Sequence, residues 1–377
     1  MRLRKLITNC ALFAVSAGFA VLLCEFVARL FLNPADYLSV EMVADQVLGA
    51  VPSLDTKASG FDKWGFRNRE VPDTAEIVAI GDSHTYGNTA TMHDSWPYVL
   101  GRLTGRTVYN MGMGGYGPNQ YFHLLKTKAL GLKPRTVICG LYMGDDFENA
   151  FLITYGLSHW EYLRRLKAGE ARFDIWGTAP SLSWHKRIRV WLSRDSVAYQ
   201  LVFHGPLMGR LQGEFQIRNA ARIYDSATSL NLPEKNILEA FLPKGMLLRI
   251  DQENPAVREG MRITFELLKE MNEICRRNGV RFLVVVIPTK EMVFSDDFVH
   301  DPRVPLAGVI ERLVSNERLA RERTFQLLTD SGIAYVDTLP ALKKMREHAL
   351  YARTATDMHP NKNGYRVIAE AVAEALK

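Results

Sequence analysis

The sequence predicts an α/β protein: a five-stranded parallel sheet with helices on both faces, a long helical insertion and an N-terminal transmembrane helix. Three observations predict it. Short apolar runs alternate with helical patterns on either side of a gap in the middle of the chain. That alternation breaks between Phe151 and Ala256, a stretch too long for a plain loop. The segment Leu6 to Leu32 is almost wholly apolar and follows a basic head, Met1-Arg-Leu-Arg-Lys5.

The strands come first. Glu76-Ile-Val-Ala-Ile80, Arg106-Thr-Val-Tyr-Asn110, Arg135 to Tyr142, Val280 to Ile287 and Ile333-Ala-Tyr-Val-Asp337 are the five runs. Val280 to Ile287 is the most apolar, as a strand buried on both faces should be. Between them lie helical patterns at Trp96 to Leu103, Asn119 to Leu130, Val257 to Asn278, Val309 to Ser331 and Val367 to Leu376. The third places Met261, Phe265, Leu268, Met271 and Cys275 on one face and stops at Asn278-Gly279. Strands alternating with helices imply a parallel sheet covered on both sides, with ligands bound beyond the C-terminal strand ends.

The N-terminus sets the compartment. A bilayer core needs about 20 apolar helical residues, and Leu6 to Cys24 nearly reaches that before Glu25 and Arg29. The basic head should remain in the cytoplasm and the rest be exported. Cleavage after Gly18-Phe19-Ala20 and a lipid anchor at Cys24 are rival readings; an uncleaved signal anchor fits best. The expected organisation is an anchor at 1–32, a linker at 33–73, a catalytic domain at 74–150 and 257–377, and an insertion at 151–256. Within the linker, Asp62-Lys-Trp-Gly-Phe-Arg-Asn68 is turn-rich and aromatic and should pack on the domain.

Composition narrows the function. The 377 residues are 47% hydrophobic and 23% charged, enough for a sizeable core. A net charge of +6 and a pI of about 9.0 admit a membrane surface or nucleic acid. The chain has no zinc-finger spacing, RNP-like segment or basic heptads, so no nucleic acid is expected. The four cysteines, Cys10, Cys24, Cys139 and Cys275, form no CxxC pair. The histidines have no ligand spacing, so no metal and no cofactor is expected.

Two segments carry chemistry. Gly81-Asp82-Ser83-His84-Thr85-Tyr86-Gly87 directly follows the first strand. A serine there is either a nucleophile at the sheet edge, close to outward-pointing N–H groups, or a helix cap; locally the two readings balance. Asp357-Met-His359-Pro-Asn361 precedes the terminal helix. A serine needs a base to become nucleophilic, and a carboxylate fixes the imidazole tautomer. The D-x-H spacing lets one loop supply both. His84, beside Ser83, is read as packing in the first helical turn rather than as a second base.

Four blocks in order now resemble those of the SGNH/GDSL hydrolases: Gly-Asp-Ser83, Asn110-Met-Gly-Met-Gly-Gly115-Tyr-Gly117, Met143-Gly-Asp-Asp146 and Asp357-x-His359-Pro-Asn361-x-x-Gly364. The resemblance covers Glu76 to Gly144 and Val280 to Lys377, and it looks like a membrane-anchored bacterial-type member. It implies a flavodoxin-like α/β/α sandwich and ester or acyl-transfer chemistry without a metal. It implies Ser83 as nucleophile, with Asp357 and His359 as partners. It also implies an oxyanion hole from the N–H groups of Ser83 and Gly115 and the side chain at 145. There the chain departs from the family, which has an Asn: Asp145 cannot donate when ionised. Loss of one such donor typically costs about 10²–10³ in rate. Asp145 held protonated, an amide from Asn149 or Asn119, or a weakened enzyme each answer this.

The expected function is a serine esterase removing acyl groups, acetyl above all, from cell-envelope carbohydrate or a small ester, on the outer side of the membrane. A polysaccharide O-acetyltransferase with the same triad is the alternative, and a non-catalytic envelope-binding scaffold the second. In the insertion, Trp184, Ile188 and Trp191 fall on one helical face, with Lys186, Arg187, Arg189 and Arg194 around the rest. Such a helix lies either at a membrane interface or with its tryptophans buried on the catalytic domain; burial is the expectation.

Overall fold

The computed structural model describes residues 2–38, 41–53, 60–167, 184–204, 206–223, 226–298, 306–352, 354 and 356–377. The five expected strands form one parallel sheet: β1 (Ile77–Gly81), β2 (Val108–Gly112), β3 (Thr136–Tyr142), β4 (Arg281–Ile287) and β5 (Ala334–Asp337), in the order β2-β1-β3-β4-β5. Ile77 pairs with Val108 on one side and Thr136 on the other. The order reverses at β1, so the loops after β1 and β3 diverge there and leave a crevice at the strand ends.

Successive side chains of a strand point to opposite faces, and both faces are apolar. Val78, Ile80, Val137, Cys139, Val284 and Val286 join one core cluster. Helices α4 (Pro118–Thr127), α5 (Asp146–Gly156) and α9 (Pro255–Arg277) cover it. Ile77, Ala79, Ile138, Leu283, Val285 and Ile287 join the other. It is covered by α3 (Trp96–Thr104), α11 (Lys362–Ala375) and the first turns of α10 (Ala307–Asp330). Helix α11 starts five residues before the expected Val367, because the Asn361 side chain caps it by accepting from the Asn363 N–H at 2.8 Å.

Ahead of the sheet, α1 (Arg2–Phe31) contains a 21-residue stretch, Ala11–Phe31, of mean hydropathy 2.2. Phe13, Phe19, Leu22, Phe26, Leu30 and Phe31 on it are all exposed. A helix this apolar with so little buried is long enough to cross a bilayer. Residues 62–68 pack on the domain as expected. Asp62, Arg67 and Asn68 are buried, and the Tyr109 hydroxyl of β2 donates to Asp62 at 2.6 Å.

The middle of the chain differs from a purely helical insertion. Helices α6 (Trp184–Asp195), α7 (Val197–His204) and α8 (Pro243–Ile250) are joined by an antiparallel hairpin, Thr228–Leu232 with Ile237–Phe241. Leu230, Ile237 and Phe241 enter the core of the α3/α11 face. The expectation that α6 buries its tryptophans is corrected. Trp184 is 74% exposed and Trp191 55%, because α6 meets α1 and α7 rather than the sheet domain. Residues 168–183 and the Lys186 side chain lie outside the described residues.

One close approach sets the geometry above β1. The turn α2 (Ser83–Tyr86) lies directly over the end of β2, and a Cβ on Gly112 would fall on the backbone of Thr85 and Tyr86. Only glycine leaves room. Gly112→Ala should cost about 1–3 kcal/mol by overpacking. It should appear as a lowered melting temperature together with displacement of α2; an unchanged melting temperature would contradict this packing.

Candidate active site

Ser83 is the first residue of α2, and Asp82 before it does the capping. The Asp82 Oδ1 accepts from the His84 N–H at 2.9 Å. The cap role is therefore taken by Asp82, leaving the Ser83 hydroxyl for another partner. Ser83 Oγ donates to His359 Nε2 at 2.7 Å. His359 Nδ1 donates to Asp357 Oδ1 at 2.7 Å, and the same carboxylate oxygen accepts the His359 backbone N–H at 2.9 Å. Ser83, His359 and Asp357 are therefore aligned as a relay, although 276 residues separate Ser83 from His359.

Two loops are stitched together to hold that alignment. Thr89 Oγ1 donates to the Pro360 carbonyl at 2.7 Å, and the buried Tyr365 hydroxyl to the Asn88 carbonyl at 2.9 Å. From the 62–68 segment, Arg67 donates to the Gly87 and Ala90 carbonyls at 2.9 and 3.0 Å and lies over the Tyr86 ring. The Asn361 amide donates to the Ala349 and Tyr351 carbonyls at 2.7 and 2.8 Å, anchoring the far end of the D-x-H loop.

The charges around the relay fall into a pattern. Burial disfavours the His359 imidazolium. The hydrogen bond and charge of Asp357, helped by Asp82 and Asp145, outweigh burial and raise its pKa above the ordinary 6.5. Burial would raise Asp357, but its bonds to His359 hold it below the usual carboxylate range. His84 is buried, bonded through Nδ1 to Asp82 Oδ2 at 2.9 Å, and stacked on Tyr142 at 3.7 Å. Burial lowers its pKa despite Asp82, and the nearby His359 charge lowers it further. The two imidazoles stand 4.7 Å apart. His84 is thus a packed side chain, as expected, but one packed against the relay itself.

The expected oxyanion groups are placed unequally. The Met113–Gly115 turn runs beside Ser83: a Cβ on Gly114 would stand 3.9 Å from the Ser83 Cβ, and Gly115 adopts φ +77°. Asp145 is the residue before α5. Its Oδ1 is buried without a hydrogen-bond partner among the described residues, and its Oδ2 faces Arg249 Nη1 at 3.5 Å. Burial first, then the charge of Asp82, push its pKa up to about 7 against the pull of Arg249. Asp146 behind it is spent on structure, accepting from the Tyr121 hydroxyl at 2.7 Å and the Tyr142 N–H at 2.8 Å. Asn119 is likewise committed, donating to Thr154 at 3.0 Å.

Three neighbours escaped the sequence reading. Asn88 places its amide 3.5 Å from His359 Nε2; an amide five residues past a strand-end serine was the available signal. Arg249 lies on α8 inside the insertion and pairs with Asp145 and with Glu148 at 3.1 Å; no motif marks it. Tyr142, on which His84 stacks, reads in sequence as one more strand residue. A cleft of about 310 Å³ lies next to the relay, its lining including Asn88, Thr89 and Gly114 together with Ala35, Tyr37 and Leu38. Among the described residues, no group of three or more His, Cys, Asp or Glu side chains is arranged to hold a metal.

Comparison with known proteins adds a family. The family described as "SGNH hydrolase-like domain, acetyltransferase AlgX" matches residues 248–377. Residues 248–377 are thus similar to an SGNH hydrolase-like domain. The matched part contains Asp357 and His359; Ser83 lies before it. No curated protein matches the chain. Among solved structures, a lipolytic protein of the G-D-S-L family from Desulfitobacterium hafniense is 14% identical, with a TM-score of 0.39, covering 80% of this chain and 99% of its own. The acetylxylan esterase Axe2 from Geobacillus stearothermophilus, as a catalytic mutant, is 10% identical, with a TM-score of 0.37, covering 81% and 94%. Fold and site here rest on strand order and geometry, not on these two likenesses.

The opposite shifts of the two histidines are measurable. By NMR titration His359 should protonate at a pH above 6.5 and His84 below it, so that between the two values only His359 is charged. Both titrating together near 6.5 would contradict the arrangement.

Proposed function

We propose that this protein is a serine acyl-transfer enzyme, acting through an acyl-enzyme on Ser83 upon ester-linked acyl groups, acetyl above all, of cell-envelope carbohydrate. The observation that carries the reading is the Ser83–His359–Asp357 alignment, with both hydrogen bonds at 2.7 Å beside an open cleft. In this scheme Ser83 Oγ attacks the ester carbonyl carbon while its proton passes to His359 Nε2. Asp357 stabilises the imidazolium and keeps Nδ1 as the donor. The tetrahedral oxyanion collapses, the leaving alcohol takes the proton from His359, and the acyl group stays on Ser83. An acceptor hydroxyl then reverses the steps, giving its proton to His359 as it takes the acyl group.

The acceptor decides the enzyme's name. With water the protein is an esterase; with a sugar hydroxyl it is an O-acetyltransferase. The second reading is favoured by the match of residues 248–377 to a family described by the acetyltransferase AlgX. The apolar helix α1 serves as membrane anchor, with the catalytic domain outside the cytoplasm. Three residues lie between Phe31, at the end of that helix, and Ala35 in the cleft wall. At about 3.3–3.6 Å per extended residue, the cleft is held close to the bilayer surface, within reach of membrane-proximal glycan.

Asp145 fits this chemistry as an acid. Held up to about 7 by burial, it is protonated at mildly acidic pH and can donate to the oxyanion in place of the family's amide. Arg249 beside it tempers the repulsion once the carboxyl ionises.

Two outcomes follow. Purified protein given an acetyl ester should release acetate at a rate at least about 10³ above Ser83→Ala. Adding a glycan acceptor should divert the acetyl group to sugar if the protein is a transferase and leave acetate release unchanged if it is an esterase. Equal rates for wild type and Ser83→Ala would sink the proposal. The pH profile carries the second. Activity needs His359 neutral, so it rises as pH climbs through the raised histidine pKa. It also needs Asp145 protonated, so it falls as pH passes about 7. Asp145→Asn should abolish that alkaline fall and raise the rate about tenfold at pH 8, approaching about 10²-fold at higher pH; a turnover unchanged or lower there would remove Asp145 from the oxyanion hole.

A further inference from the structure

Helix α6 is left over by the proposed chemistry. Trp184, Ile188 and Trp191 recur at i, i+4 and i+7 and form a stripe that the protein leaves 74%, 47% and 55% exposed. Arg187, Arg189 and Arg194 are exposed around it. Exposed apolar side chains scattered singly are ordinary, but a tryptophan-rich stripe flanked by arginines marks a surface built for a partner.

What lies next to α6 says which partner. The junction between α6 and α7 is fastened to the end of α1. Glu25 of α1 accepts from Ser196 Oγ at 2.8 Å, from the Val197 N–H at 3.1 Å and from the Ala198 N–H at 2.9 Å. Arg29 donates to the Asp195 carbonyl at 2.9 Å. Val197 is fully buried against Ala28 and Leu38. Glu25 and Arg29 are the polar residues in the last two turns of the apolar helix, so this junction sits where that helix reaches the bilayer surface. Twelve residues of α6 then extend about 18 Å from it.

We propose that α6 lies in the headgroup region of an anionic bilayer beside α1. Trp184, Ile188 and Trp191 enter the acyl boundary, and Arg187 and Arg189 meet lipid phosphates. The partner of this face is the lipid surface itself. Tryptophan is suited to that depth because its body is apolar and its N–H stays wet. Arginine adds attraction to anionic headgroups. The proposal rests on α1 being a membrane anchor, and it goes further: a single helix tethers a domain but lets it swivel, whereas α6 supplies a second line of contact. The domain is then held in one orientation, with the 35–38 wall of the cleft on the membrane side.

The test uses the full-length chain in vesicles of phosphatidylcholine and phosphatidylglycerol, with bromine-labelled phosphatidylcholine as the probe. Co-flotation with vesicles reads the anchor; bromine quenching of tryptophan emission reads α6. Trp184→Phe/Trp191→Phe keeps the apolar face and removes the reporters. Wild type should co-float and be quenched, and the double variant should co-float with more than half of that quenching lost. Arg187→Glu/Arg189→Glu should co-float with weaker quenching. Co-flotation with equal quenching in wild type and double variant overturns the placement of α6 while leaving the anchor intact, and directs the search to a protein partner for the stripe. Failure of the wild type to co-float overturns the anchor, and the placement of α6 with it.

Discussion

One hydrogen bond organises this protein: Ser83 Oγ to His359 Nε2, between the end of the first strand and the loop before the last helix. Nothing local holds it. The strand end is set by the sheet, where Gly112 lets the α2 turn sit directly on β2. The histidine loop is set by α11, through the Asn361 cap and its amide bonds to residues 349 and 351. Thr89 and Tyr365 then tie the two loops to each other. Each bond is worth only about 0.5–1.5 kcal/mol net. Their shared effect is a serine and an imidazole held in register across most of the chain.

The same site gathers carboxylates. Asp82, Asp145, Asp146 and Asp357 all stand within electrostatic reach of His359 or of one another. Such crowding has two consequences. It raises the pKa of His359 and adds to the effect of burial in raising those of the partly exposed Asp145 and the fully buried Asp146. Burial first, and the charge of His359 when it is protonated, lower the pKa of His84. The pair therefore divides into one imidazole bonded between Ser83 and Asp357 and one packed on Tyr142. Asp145, where the SGNH/GDSL hydrolases that the sequence resembles place an Asn, has its pKa pushed up to about 7 by burial and by Asp82.

Much of this was legible in the sequence, and the reasons are physical. Parallel strands buried on both faces read as apolar runs, so all five were found within two residues of their ends. That Ser83, Asp357 and His359 come together was legible because strand ends and loop motifs bring their side chains to one edge of the sheet. The relatives of that reading that failed are side chains without a pattern. Arg249 reaches Asp145 from a helix far along the chain, and Asn88 meets His359 only after both loops have closed. The hairpin at 228–241 was missed because its residues alternate weakly and it sits inside a segment read as helical. Helix α6 was found, but periodicity shows that a face is apolar and not what covers it; its neighbours on α1 decide that.

The central claim is that Ser83 is activated by His359. It is tested most directly by treating the full-length protein with a fluorophosphonate probe and locating the adduct by mass spectrometry, beside Ser83→Ala and His359→Ala. The account predicts a single adduct on Ser83, absent in Ser83→Ala and strongly slowed in His359→Ala. Folded wild-type protein that takes no label at Ser83, or that labels as fast without His359, would contradict it.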